Sequence, residues 1–132
     1  MASTKNNTKK LSKSEKKQLA VKRNHKYLVR SVFRSAGFQR FSKLSDKAFD
    51  LDPSNKSDFD DVFLFENILT CVEYTCSQSN YVGEHLKKKS HIYGHIDQNK
   101  ENFISVLKKM DVSFGSAIEA YLDQEVIVLI VY

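Results

Sequence analysis

A chain of 132 residues, 41% apolar and 28% charged, is long enough to bury one core and too short for two, so a single mixed domain is expected. No run of about 18 or more apolar residues occurs, and the lysine-rich amino terminus lacks the apolar stretch of a secretory signal. The expectation is a soluble cytoplasmic protein, or a nuclear one in a eukaryote, with no membrane partner. The formal charge of +5 is concentrated: Lys5, Lys9, Lys10, Lys13, Lys16, Lys17, Lys22, Arg23, Lys26 and Arg30 are opposed only by Glu15 in the first thirty residues. Such a segment suits a polyanion, nucleic acid above all, the rival account being a merely solvated tail and helix.

In chain order, residues 1–12 are Ser, Thr, Asn and Lys with little to bury and read as a basic arm without structure of its own. Ser12 followed by Glu15 forms a capping box, and Gly37 after Ala36 is a left-handed terminator, which brackets a helix over Lys13 to Ala36. Its apolar face is Leu28, Val29, Val32, Phe33 and Ala36. Phe38 to Leu44 alternates as a first edge strand, and Asp50 to Ser57, with Pro53 among polar residues, reads as a loop. Phe59 to Phe65 and Ile68 to Thr75 are rich in β-branched and aromatic residues and read as a hairpin turning at Glu66-Asn67.

Val82, Leu86, Lys89, Tyr93 and Ile96 then recur at helical spacing, as do Phe103, Val106, Leu107 and Met110, while Ala117, Ile118, Tyr121 and Leu122 suggest a short third helix of this group. Val126 to Tyr132 is an uninterrupted apolar run of seven, read as a strand covered on both faces. Ending on such a strand suggests a piece of a longer protein or a strand sealed by a partner, in one domain over 13–132. Cys71 and Cys76 lie too close along one strand and its exit to bridge readily, and read as thiols.

A symmetric two-residue turn would pair Phe65 with Ile68, setting Asp60 across from Glu73 and Asp58 across from Thr75. All four would share a face, and opposed like charges about 5 Å apart are destabilising unless a cation lies between them. Hard oxygen ligands of this kind suit magnesium or manganese, and the chemistry they serve is phosphodiester cleavage. An acidic cluster at exposed strand ends with no function is the competing account.

The stretch Asp58-Phe59-Asp60-Asp61-Val62-Phe63-Leu64-Phe65 followed by Val72-Glu73-Tyr74-Thr75 resembles the acidic-x-Asp, hydrophobic strand, Glu-x-Lys pattern of PD-(D/E)XK nucleases. The order of elements from Lys13 to Tyr132 is similar to that family's α/β, restriction-endonuclease-like αβββαβ core, a mixed central sheet flanked by helices. The resemblance implies that Asp60 and Glu73 hold Mg2+ or Mn2+, with Asp58 or Asp61 auxiliary, Tyr74 offering its carbonyl and Glu15 a weaker further acid. Thr75 stands where the family places its lysine, and a hydroxyl supplies no cation. Lys89, inside the apolar stripe of its helix, is the candidate replacement, the rival being a stem over apolar surface with its ammonium in water.

By the same reading Lys22, Arg23, Lys26, Lys87 and Lys88 would hold nucleic-acid phosphates. His91 and His95, one turn apart, have a chelating spacing but no third ligand, so two surface histidines are expected. Phe38 and Phe41 beside Arg34 and Arg40 offer base stacking against the stronger alternative of core burial. The implied activity is metal-dependent hydrolysis of DNA, RNA being open, within a larger restriction or defence protein. The alternatives are a catalytically degenerate fold that binds nucleic acid, and a protein-interaction module or homo-oligomer using its last strand.

Overall fold

Ser12 caps the first helix as its sequence requires: its hydroxyl accepts the backbone N–H of Glu15 at 3.2 Å. The computed structural model describes residues 10–74 and 79–132, without the side chains of residues 79–86 and 88. Helix α1 runs Lys13–Ser35. It closes in a Schellman motif, with Gly37 at φ 97° donating to the Arg34 carbonyl and Phe38 to that of Phe33, both at 3.0 Å. Phe33 and Phe38 supply the apolar contact of that motif edge to face.

The chain continues through β1 (Gln39–Arg40), β2 (Phe49–Asp52), β3 (Asn55–Ser57), β4 (Asp61–Phe65) and β5 (Ile68–Val72). Helices α2 (Ser79–Gln98), α3 (Lys100–Met110) and α4 (Val112–Glu119) lead to β6 (Ile127–Val131). Chain and topology are mixed α/β: one sheet has the order β1-β4-β5-β6, with β6 parallel to β5 and the other pairs antiparallel, and β2 with β3 forms a separate ribbon. Among the described residues no helix is long and apolar enough to cross a membrane.

The β4–β5 register is the expected one, Phe65 facing Ile68 and Asp61 facing Val72, around a turn in which Glu66 takes φ 52°. Side-chain alternation then gives the hairpin two faces. Val62, Leu64, Leu69 and Cys71 join Ile92 and Ile96 of α2, Phe103 and Leu107 of α3, and Phe114 and Ile118 of α4 in the main core. The opposite face carries Asp61 and Phe63, and Phe63 stacks on Phe33 of α1 at 4.5 Å.

Three expectations are corrected. Asp50 to Ser57 is not a loop: Phe49 and Leu51 are buried at alternate positions of β2, and Pro53 falls in the tight turn, where Asp52 accepts the Ser54 N–H and the Asn55 amide. The first edge strand is only Gln39–Arg40, because the chain turns over residues 42–46 to bury Phe41 and Leu44. The last strand is covered on one face only, with Ile127, Leu129 and Val131 each more than 40% exposed at the sheet edge.

Candidate active site at the mouth of the β4–β5 hairpin

One residue beyond the last ladder pair, Asp60 and Glu73 stand on the face of the hairpin that α2 covers. Both are fixed through the backbone: Asp60 donates its N–H to the Val72 carbonyl at 3.0 Å and Glu73 donates to Val131 at 2.8 Å. The Asp60 carboxylate accepts the Tyr74 N–H at 2.7 Å. Helix α2 brings Lys89 to this point. Its Nζ lies 2.6 Å from Glu73 Oε1, 3.0 Å from Asp58 Oδ1 and 2.6 Å from the Asp58 carbonyl oxygen. The ammonium also lies 5.8 Å from the centre of the Phe59 ring, and the side chain is only 12% exposed, so the charge turns inward and does not reach for water.

Burial is the main reason that the Glu73 carboxyl is pushed up to about 7; the Lys89 hydrogen bond and charge oppose this, and the charges of Asp60 and Asp58 add to it. Burial works against the Lys89 cation, but the hydrogen bonds to Glu73 and Asp58 outweigh it and hold the ammonium above its usual value. The cluster therefore joins two carboxyl groups, Glu73 and Asp58, to one cation, and the charge of Asp60 acts on Glu73 beside them.

Asp61 belongs to a different cluster. It lies on the α1 face, fully buried, with Arg30 Nε at 2.8 Å, Arg30 Nη2 at 3.2 Å and Arg40 Nε at 2.5 Å. The Tyr74 hydroxyl also donates to it. Burial would raise its carboxyl, but the Arg30, Tyr74 and Arg40 hydrogen bonds prevail and hold it below the usual range. This ion-paired group pins α1 and β1 to β4, a structural task that the expectation of an auxiliary metal ligand overlooked. Two features pointed to it: Asp61 opens an otherwise apolar strand, and Arg30 sits in the apolar half of its helix.

Helix α1 runs in the same sense as β4, since His25 meets Tyr74, Arg30 meets Asp61 and Phe33 meets Phe63. The described residues before His25 are all exposed. At 1.5 Å per residue, the stretch from Lys13 to His25 projects about 18 Å past the sheet, at the end where Asp60 and Glu73 lie. Lys22 and Arg23 are on that projection. Lys26 is partly engaged, 4.0 Å from Asp46 and over the Tyr74 ring. Lys87 is exposed on α2, and Thr75, Cys76 and the Lys88 side chain lie outside the described residues.

Glu15 sits in the first turn of the projecting helix, away from the carboxylates. His95 turns to Asp52 at 3.2 Å while His91 is exposed, so the pair does not converge. Core burial, the stronger alternative to base stacking, is what the phenylalanines show: Phe41 is buried against Phe114 and Phe38 packs on Phe33 and Phe65, while Arg40 is engaged with Asp61. A cleft of 730 Å³ beside α3, lined by Lys100, Ile104, Lys108, Leu122 and Val126, is remote from this chemistry.

Among the described residues no group of three or more His, Cys, Asp or Glu is placed to chelate a metal by itself. Asp60 and Glu73 fit instead an ion that takes one or two carboxylates and completes its shell with water and phosphate oxygens, as magnesium does. The sequence matches no family model, no curated protein and no solved structure.

Proposed function

We propose that this chain is a metal-dependent phosphodiesterase domain that cuts nucleic acid, DNA in the first place, with a restriction-endonuclease-like arrangement. The observation that carries the reading is the convergence of Lys89 with Glu73 and Asp58 beside Asp60, which gives a lysine to a carboxylate site whose own motif has Thr75. The helix, antiparallel strands, crossover helix and parallel returning strand are in keeping with the αβββαβ core implied by the resemblance. A place in restriction or other defence follows from that resemblance.

In this reading Asp60 and Glu73 hold the ion, with Asp58 at the rim. A divalent ion bound there supplies Lewis acidity, lowering the pKa of an attacking water and offsetting phosphate charge. Lys89 moves its ammonium from Glu73 and Asp58 to the phosphate, where charge develops in the transition state. The projecting part of α1 holds the backbone of the substrate.

The test is cleavage of plasmid, single-stranded DNA and RNA with Mg2+ or Mn2+, comparing the natural chain with Asp60→Asn, Glu73→Gln and Lys89→Ala. The expected result is metal-dependent cutting that drops on the order of 100-fold in each variant. Cutting that survives in all three, or no cutting by the natural chain, would reject the reading. A binding module is the second reading, favoured by the closure of Lys89 onto Glu73 and Asp58; it predicts salt-sensitive DNA binding without turnover.

A further inference from the structure

Tyr93 follows Lys89 by four residues on α2 and so lies on the same helix face one turn away. Its ring stacks on Phe59, the ring over which the Lys89 ammonium also lies, at 6.0 Å, and on Tyr132, again at 6.0 Å. A phenylalanine would fill that stack equally well. The hydroxyl is shut off from solvent and makes no hydrogen bond among the described residues, an arrangement that lowers stability. Buried polar groups of this kind call for a use. The ionisable group whose charge acts most strongly on this hydroxyl is Glu73, followed by Tyr132 and Asp60.

We infer that Tyr93 is a positioning residue of the carboxylate site, whose hydroxyl donates to Glu73 when Lys89 leaves Glu73 for an incoming phosphate. The inference rests on the phosphodiesterase reading above. A carboxylate accepts several hydrogen bonds, and transfer of the Lys89 ammonium to a phosphate removes one donor from Glu73. Tyr93 and Lys89 share a face of one helix and meet the same Phe59 ring, and Tyr132, on which Tyr93 stacks, follows Val131, whose carbonyl accepts the Glu73 N–H, so both donors and the carboxylate belong to one neighbourhood of the fold. Exchange of donors keeps Glu73 oriented while the ammonium serves the phosphate.

The experiment uses the full chain with 13C-labelled tyrosine and 15N-labelled lysine, titrated with Mg2+ and inorganic phosphate, the Tyr93 and Lys89 signals being identified with Tyr93→Phe and Lys89→Ala. Both signals are expected to move on addition of phosphate. Tyr93→Phe should melt no lower than the natural chain, because it removes a buried unpaired hydroxyl. It should cut DNA about tenfold more slowly with little change in KM, the size of one hydrogen bond to a charged group. Gained or equal stability with lost turnover is a combination that a purely structural tyrosine does not give. If Lys89 responds and the natural chain cuts, but the Tyr93 signal stays fixed and Tyr93→Phe cuts normally, the inference is overturned and the phosphodiesterase reading stands. If neither signal moves and the natural chain does not cut, that reading falls and takes this one with it.

Discussion

Asp61 and Glu73 are both buried carboxyl groups of one hairpin, and their surroundings send them in opposite directions. Asp61 meets two guanidinium groups and a phenol, so removing its charge leaves Arg30 and Arg40 without their buried partner. Asp61→Asn should cost roughly 3–5 kcal/mol, as loss of one member of a buried ion pair does, measured by denaturant unfolding at pH 7. Its folded pKa is depressed, so its stabilisation is present above the ordinary carboxyl value of 3.8 and is lost as pH falls through the depressed one. Asp61→Asn should therefore flatten the acid limb of the stability curve.

For Glu73 the sign reverses. With the carboxyl raised from 4.5 to about 7, the folded state binds the extra proton, and this group makes stability fall as pH rises across that window. A metal needs the carboxylate, so Mn2+ affinity measured by calorimetry should weaken as pH drops below about 7, approaching tenfold per unit where protonation of Glu73 limits binding. Affinity that is flat from pH 8 to pH 5.5 would remove Glu73 from the ligand set.

At the scale of elements, the hairpin was legible because its turn is symmetric and its strands are apolar on both sides, which fixed the register and set Asp60 against Glu73. The helical stripe that includes Lys89 likewise told where the lysine points. Two other elements were not legible. The β2–β3 ribbon contains only Phe49 and Leu51 as buried anchors, and the polar residues around Pro53 hid an alternation of such short length. The run Val126 to Tyr132 reads the same for a central strand and an edge strand, because its exposed residues are as apolar as its buried ones. Helix α1 shows a third case: its last turns pack by apolar and ionic contacts, whereas its first half projects on charge alone. Lys22→Glu with Arg23→Glu should leave the melting temperature unchanged, since both side chains are exposed. Loss of two phosphate contacts should lower the slope of log affinity for DNA against log salt by about two. An unchanged slope would place the DNA elsewhere on the surface.

For the molecule as a whole, what the two helical layers leave uncovered matters as much as what they cover. Helices α2, α3 and α4 close the core face, while α1 covers the opposite face around Phe63 and Asp61 and leaves Ile127, Leu129 and Val131 exposed. Leu28 and Val32 of α1 are exposed as well, at more than 60%. Among the described residues β6 pairs only with β5, and its five residues contain no charge to discourage a second strand. Antiparallel pairing of two copies about Leu129 would set Ile127 opposite Val131 of the other copy, apolar against apolar along the row, with no like charges brought together. The natural chain should therefore associate with rising concentration, seen by sedimentation velocity, and Leu129→Lys should hold it monomeric without lowering its melting temperature, because that side chain leaves no cavity in the core. A natural chain that stays monomeric across the accessible concentration range would mean that its net charge of +5 outweighs the exposed strand.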